Sequence, residues 1–266
     1  MLKMDELKEV IQLCLYSAYI EDEKPISLLI IAEPESGKTQ MLKKFRHNKG
    51  IVYFTDLTAY GITKAIFPLL ESGQKVNHII IPDLLNPLSK SQVATKGFIQ
   101  FMNSLIEEGI CEIYTYAIQI KKEDLNVGLI SAITSDAFFS RKTTWKKIGF
   151  LSRVIPFSYK YGIGSVIEIM ESIYKEEYHN EEKVSLCFPN EKKKIFLSKE
   201  LAKEMFPFTL LLAKQSSSYG FRVQKQLQIL LKSSALLDGR SQVEMKDVEK
   251  LKRIVKFLNF SRNTID

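Results

Sequence analysis

A loop of eight residues carries the side chains best suited to bind a phosphate group. The segment AEPESGKT, residues 32–39, fits the pattern GxxxxGK[ST] except that alanine replaces the first glycine. Backbone N–H groups of such a loop bind a β-phosphate, and Gly37 permits close approach because it lacks a Cβ. Lys38 reaches the β- and γ-phosphates as a point charge, while Thr39 offers a hydroxyl to Mg²⁺. The predicted nucleotide-binding residues are Glu35, Ser36, Gly37, Lys38 and Thr39.

An acidic residue at the end of another apolar run could complete this site. Asp83 follows the run IIIP, residues 79–82. A carboxylate at a strand end can hold Mg²⁺ through its water shell, although it can also simply cap the strand. The next residue is Leu84, where many ATPases place a glutamate that orients the attacking water. Because leucine cannot polarise water, either hydrolysis is slow or another carboxylate does this. The possible sources are Glu33, Glu35, Glu107 and Glu108.

These residues need a scaffold that brings strand ends together, and the hydrophobic pattern predicts one. Short apolar runs indicate buried parallel strands, with helical periodicity between them. The predicted strands span 26–31, 51–54, 78–82 and 127–133. The predicted helices span 1–20, 38–45, 58–70 and 93–108, and a loosely alternating stretch, 110–120, predicts a hairpin. Alternating strands and helices favour a parallel, doubly wound α/β sheet.

The pattern changes after about residue 160. Helical periodicity dominates there, with two short strands predicted within 184–197. The predicted helices span 166–178, 198–213, 221–237 and 246–260. We therefore predict two domains, an α/β nucleotide-binding core over 1–160 and a mostly helical domain over 161–266.

Composition excludes several other classes of protein. The 266 residues are 45% hydrophobic and 26% charged, which is an ordinary globular mixture. Three dispersed cysteines and three dispersed histidines argue against a disulfide scaffold or a zinc site. The apolar stretch 10–20 is too short to span a bilayer and lacks the features of a signal peptide, so we expect a cytoplasmic protein. The net charge of +7 permits a polyanionic partner, although many lysine-rich chains are basic without binding DNA.

Taken in order, the motifs resemble those of the AAA+ ATPases over about residues 20–255. The loop at 32–39 resembles the Walker A motif, and 79–83 resembles a Walker B motif without its usual glutamate. The resemblance implies a P-loop sheet flanked by helices, with ATP and Mg²⁺ bound between this core and a helical lid. Thr134 ends the fourth predicted strand, where sensor 1 belongs. That position implies a hydrogen bond to the γ-phosphate or to the attacking water.

The same resemblance implies roles for two arginines. The segment IGFLSR, 148–153, is similar to the family's arginine-finger segment, which implies that Arg153 reaches the nucleotide of a neighbouring subunit. Arg222, in the segment YGFR that opens a long helix, resembles sensor 2 acting in its own subunit. A guanidinium near the γ-phosphate stabilises charge that develops in the transition state. Arg141 is a rival candidate for the finger.

Two further segments resemble the MoxR-type and minichromosome-maintenance-type members. One is the helix ending ALLDGR, 235–240, with the residues up to Val248. The other is Glu107-Glu108-Gly109 with the predicted hairpin, which in those members often faces a central pore. The resemblance implies a ring, such as a hexamer, that uses Arg153 between subunits. Hetero-oligomers are the alternative.

The hairpin region also supplies candidate contacts to nucleic acid. Aromatic side chains can stack on bases and lysines can bind phosphates. The candidates are Tyr114, Tyr116, Lys121 and Lys122. Core or hairpin-face tyrosines with solvated lysines are the favoured interpretation of the same residues, and nucleic-acid contact is the alternative.

The sequence therefore predicts an AAA+ ATPase that remodels or translocates a macromolecular partner, with DNA slightly favoured over protein. Its predicted catalytic residues are Asp83, Thr134, Arg153 and Arg222, and its predicted metal ligands are Thr39 and Asp83. The alternative is a scaffold subunit that binds ATP, hydrolyses it weakly or not at all, and acts through a partner protein. A third possibility is a helicase-loading or replication-initiation role, which predicts salt-sensitive DNA binding.

Overall fold

A parallel sheet of five strands forms the centre of the fold. The computed structural model describes residues 4–56, 58–115, 118–175, 183–260 and 264–265. In chain order the strands are β1 (Leu28–Ala32), β2 (Ile51–Tyr53), β3 (His78–Ile81), β4 (Ile110–Thr115), β5 (Ile118–Leu125), β6 (Gly128–Thr134), β7 (Ile155–Ser158), β8 (Lys160–Tyr161) and β9 (Thr264–Ile265). The central sheet has the order β2-β3-β6-β1-β7, and the predicted α/β class is confirmed.

Helices flank this sheet and continue beyond it. They are α1 (Asp5–Ser17), α2 (Lys38–Lys43), α3 (Ala59–Glu71), α4 (Leu85–Leu88), α5 (Gln92–Asn103), α6 (Ser135–Lys147), α7 (Ile163–Tyr174), α8 (Lys199–Lys203), α9 (Phe206–Ser216), α10 (Phe221–Leu237) and α11 (Met245–Val255). A π-helical segment, Ser104–Glu108, follows α5 directly and leads into the antiparallel hairpin of β4 and β5. No helix within the described ranges is long and apolar enough to cross a membrane.

The order of the strands brings the ends of three of them together. β6 lies between β1 and β3, and all three are parallel. The register pairs Ala32 with Thr134 and Ile81 with Ser131. The carboxyl ends of parallel strands meet at one edge of a sheet. The phosphate loop, Thr134 and Asp83 therefore follow neighbouring strands at that edge.

Several elements differ from the sequence prediction, which includes no element at α4, α6, β7, β8 or β9. β7 was not predicted, and its Pro156 is compatible with pairing because β7 is an edge strand, where one ladder donor can be missing. The two strands predicted within 184–197 are wrong, since the described part of that segment makes only the isolated bridges Ile20–Lys193 and Phe196–Gln242. The helix predicted over 198–213 is split into α8 and α9, because Pro207 has no N–H to bond the carbonyl of Lys203 and so fits only in the first turn of a new helix.

Two hydrophobic clusters lie on the two faces of the sheet. Along β1, Leu28, Ile30 and Ala32 join one cluster, while Leu29 and Ile31 join the other, as alternation along a strand requires. The first cluster also contains buried residues of α1, α10 and α11. Elements before and after residue 160 therefore share one core, and the predicted division into two domains at that point stays a prediction.

Candidate nucleotide-binding site

The loop between β1 and α2 is tightly curled. Glu35 and Gly37 both have left-handed backbone conformations, with φ of 59° and 83°. The conformation at Gly37 is free of Cβ strain, whereas Glu35 adopts it at a cost of roughly 1–2 kcal/mol. A non-glycine residue in this conformation needs support from its surroundings. The strain at Glu35 marks this loop as a candidate site.

Lys38 is the cation of this loop, and its ammonium is buried against the loop itself. Nζ donates to the carbonyl oxygens of Ala32 at 2.9 Å and Glu33 at 2.5 Å, and to Ser36 Oγ at 3.0 Å. Burial lowers the pKa of Lys38 to about 8, although the charges of Asp83 and Glu33 act in the opposite direction. A buried ammonium held mainly by neutral oxygens is ready to bind an anion.

Two tyrosines that the sequence analysis missed fix the loop from the other side. The hydroxyls of Tyr159 and Tyr161 both donate to the carbonyl oxygen of Ser36, at 2.9 and 3.2 Å. Burial raises the pKa of Tyr159, so its hydroxyl keeps its proton at neutral pH. The spacing of two, directly after the edge strand β7, places both tyrosines on the same side of an extended chain. That spacing was the signal in the sequence.

A cavity of about 780 Å³ opens beside the loop. The loop residues 33–40 form one wall, with Lys160 and Tyr161 next to them. Val166, Ile169, Met170 and Ile173 of α7 also line the cavity and make part of its surface apolar. A cavity lined by both a cation and aliphatic side chains suits a ligand that combines phosphate with a flat apolar ring.

Asp83 and Thr134 lie at the edge of the sheet where the loop begins, but Leu84 does not face the site. The Asp83 carboxylate accepts a hydrogen bond from Leu85 N at 2.9 Å and interacts electrostatically with Lys38. Thr134 is adjacent to Ala32 in the register of the sheet. Leu84 is fully buried in the second hydrophobic cluster, and its N–H donates to Ala132 at 2.8 Å. The side chain at position 84 thus belongs to the core.

The four carboxylates that could replace a glutamate at position 84 fall into two groups. Glu33 and Glu35 line the cavity. Glu107 and Glu108 instead form ion pairs with Arg222 and Arg153. Of these four carboxylates, only those of Glu33 and Glu35 lie where they could orient water at the cavity.

The two arginines with predicted roles lie together in a different place. Arg153 Nη2 contacts Glu108 Oε1 at 2.6 Å, and its Nη1 donates to Gly149 O at 2.8 Å. Arg222 contacts Glu107 Oε1 at 3.4 Å and Ser152 Oγ at 3.4 Å. Neither arginine is among the described residues that line the cavity. Arg153, Arg222 and the two glutamates form one group, which we call the arginine cluster.

The remaining predicted residues have simpler surroundings. Arg141 donates to Ala137 O and Ser140 Oγ on its own helix, both at 3.1 Å. The predicted hairpin is confirmed, with Tyr114 opposite Gln119 and Glu112 opposite Lys121. Tyr116 lies outside the described residues, and the structure describes the other hairpin candidates by their backbone alone. Nucleic-acid contact by Tyr114, Tyr116, Lys121 and Lys122 stays a prediction.

The oxygen atoms near the loop suit a metal ion that a bound phosphate and water molecules would also coordinate. Within the described ranges, no three or more His, Cys, Asp or Glu side chains come together as a possible metal site. Thr39 is exposed in the cavity wall. Asp83, which follows β3, is not among the described residues that line the cavity, but its charge acts on Lys38. One hydroxyl and one carboxylate are a small oxygen set, of the kind that Mg²⁺ uses when phosphates and water complete its shell.

Comparison with known proteins adds no relative to this picture: no protein-family model matches the chain, and no curated protein matches it. The chemistry of the site therefore follows from its own residues, a strained loop with a buried lysine beside a half-apolar cavity.

Proposed function

We propose that this chain is an AAA+-type module that binds ATP·Mg²⁺ in the cavity beside the phosphate loop. One observation carries the proposal: the loop with the GKT motif holds a buried Lys38 in a cavity that is also lined by aliphatic side chains of α7. Lys38 would exchange its loop oxygens for the β- and γ-phosphates. The aliphatic side chains of α7 would contact the base and ribose.

The order of the strands supports the same proposal. Because β6 separates β1 from β3, Thr134 lies between the loop after β1 and Asp83 after β3. A polar residue in this place is what the sensor 1 interpretation requires. Thr39 and Asp83 would hold Mg²⁺, which neutralises charge between the β- and γ-phosphates when it is bound.

Two outcomes of ATP binding are compatible with the site. In the first, the chain is an ATPase that remodels or translocates a partner such as DNA, with Glu33 or Glu35 orienting the attacking water. In the second, it is a scaffold subunit that binds ATP with little or no hydrolysis. The burial of Leu84 favours the second, because no carboxylate extends into the site from the position after Asp83.

The experiment that separates them is steady-state ATP hydrolysis by the full chain, with and without single- and double-stranded DNA. The variants are Lys38→Ala, Glu35→Gln and Arg153→Ala, and the matched control is Lys43→Ala, an exposed lysine on the same helix. Turnover that needs Lys38 and Glu35 and rises with DNA supports the motor. ATP binding without turnover under any condition supports the scaffold. Turnover that survives Lys38→Ala contradicts both.

A further inference from the structure

A second cavity, of about 380 Å³, lies at the end of helix α10 that is farther from the arginine cluster. We call it the α10 cavity. Its walls come from three parts of the chain, namely Tyr16 of α1, residues within 187–195, and residues within 236–241. Among the described residues, none lines both this cavity and the one beside the phosphate loop. The α10 cavity is therefore a separate candidate site, which the proposed function does not use.

Contacts between distant segments hold the walls of the α10 cavity in place. The Tyr16 hydroxyl donates to the carbonyl oxygen of Cys187 at 2.9 Å. The ring of Phe188 packs against the rings of Tyr16 and Tyr19, with centroids 5.1 and 4.7 Å apart. The cavity is thus formed before any ligand is present, which lowers the entropic cost of binding one.

Apolar and aromatic side chains supply much of the lining. They are those of Tyr16, Phe188, Pro189, Ile195, Leu236 and Leu237. Ile195 and Leu236 are themselves buried, so the apolar surface continues into the core. A ligand that fills such a space needs an apolar body of its own.

The charged side chains that line the α10 cavity are all cationic within the described ranges: Lys193, Lys194 and Arg240. The guanidinium of Arg240 is already neutralised, because its Nη2 contacts Asp247 Oδ1 at 2.6 Å and Asp238 Oδ2 at 2.8 Å. Lys193 and Lys194 are exposed, and neither ammonium forms an ion pair with a described Asp or Glu. Two uncompensated positive charges at one cavity favour an anionic ligand.

We propose that the α10 cavity binds a small organic anion, in which an aliphatic or aromatic body carries one carboxylate or phosphate group. The body would contact apolar side chains such as Phe188, Ile195 and Leu237, and the anionic group would pair with the ammonium groups of Lys193 and Lys194. One or two negative charges match the two lysines. This site does not depend on whether the other cavity binds ATP.

Cys187 allows binding to be measured at this cavity. It is exposed, it lines the cavity, and its thiol interacts electrostatically with the Tyr16 hydroxyl. Cys14 is fully buried, and the replacement Cys111→Ser removes the third thiol of the chain. In that background the neutral reagent dithiodipyridine reports the access of solvent to Cys187. A ligand that fills the cavity should slow this modification.

The test uses three probes that share one body and differ in their polar group: phenylbutyrate, phenylbutyl phosphate and the neutral phenylbutanol. The variant of the full chain combines Lys193→Gln with Lys194→Gln. The matched control is Lys192→Gln, an exposed lysine of the same run that is not among the described lining residues. Circular dichroism checks folding, and the buffer is low in salt because salt screens exposed charges.

We expect both anions to protect Cys187, with half-protection below about 1 mM. Phenylbutanol should need about fivefold more, because it lacks the contacts to the exposed lysines, which contribute modestly. The double glutamine variant should lose this preference for anions, and the Lys192→Gln control should keep it. The anion with the lower half-protection concentration identifies the preferred head group.

Three results would overturn the proposed site. One is the absence of protection by either anion up to about 10 mM. The second is protection by phenylbutanol at the same concentrations as the anions, which would show a site that does not recognise charge. The third is a preference for anions that survives in the double glutamine variant or that falls equally in the Lys192→Gln control.

Discussion

At the scale of single residues, the protonation of Lys38 would control how the proposed site attracts phosphate. Its ammonium is surrounded by the oxygens of Ala32, Glu33 and Ser36. Burial lowers the pKa of Lys38 from the usual 10.5 to about 8. Bound phosphates would raise this pKa again because they favour the charged form. The proposed binding of ATP would therefore be coupled to the uptake of a proton above pH 8.

This coupling predicts a pH dependence of ATP affinity. Well below pH 8, Lys38 is charged with and without ATP, so the affinity should be flat there. Above pH 8 the free protein loses the proton that the complex needs, and the Kd should rise about tenfold between pH 7.5 and pH 9. Calorimetric titration at several pH values measures this. Lys38→Arg keeps its charge throughout and should give a flat profile. A flat wild-type profile would contradict the assigned role of Lys38.

Leu84 is the second residue whose surroundings decide chemistry. Its side chain is fully buried among apolar residues, so a glutamate there would enter the core and not the site. We expect Leu84→Glu to destabilise the fold by about 3 kcal/mol or more, without any gain in ATP hydrolysis. Leu84→Met, which conserves volume, should stay within about 1.5 kcal/mol. Urea unfolding and a hydrolysis assay measure both variants. A stable Leu84→Glu protein with faster turnover would show that position 84 faces the nucleotide.

At the scale of elements, the segment from β7 to β8 acts as a brace for the phosphate loop. It runs along the edge of the sheet beside β1 and ends in the two tyrosines that hold the Ser36 carbonyl. The strained conformation of Glu35 lies one residue before that carbonyl. The brace and the strain together indicate a loop that is held in shape before any ligand arrives.

Removing the brace should loosen the loop. Each of Tyr159→Phe and Tyr161→Phe leaves Ser36 O with one partner and should cost about 1 kcal/mol of stability. The double variant leaves this oxygen without either hydroxyl, and we expect its Kd for ATP to rise about tenfold. Tyr53→Phe is the matched control, because the buried Tyr53 hydroxyl has no hydrogen-bond partner among the described residues. Equal ATP affinity in the double variant and the control would contradict the brace.

Elements with a strong local signal were predictable from the sequence, and elements defined by distant contacts were not. The apolar runs of β1, β3 and β6 and the GKT motif located the loop, Asp83 and Thr134 correctly at one edge. The sequence does not predict β7, because its short apolar run contains a proline and the strand is defined by its pairing with β1. The pairing of Arg153 and Arg222 with adjacent glutamates depends on contacts across 45 and 115 positions, and no local pattern encodes it.

At the scale of the whole molecule, the cavity and the arginine cluster are separate parts of one chain. The predicted roles of Arg153 and Arg222 need both parts at one nucleotide, and neither arginine is among the described residues that line the cavity. Both arginines are paired with glutamates of their own chain, so the roles of Arg153 at a neighbouring nucleotide and of Arg222 at its own stay predictions.

All of this depends on whether the cavity binds ATP, and the most direct measurement is calorimetric titration of the full chain with ATP·Mg²⁺ at pH 7. We expect one site per chain in the wild type and in Lys43→Ala, the exposed lysine control. Lys38→Ala should bind about a hundredfold more weakly, because it loses a charge-assisted contact to phosphate. Wild-type protein that binds no ATP at millimolar concentration, or Lys38→Ala protein that binds as tightly as the wild type, would contradict the proposed site.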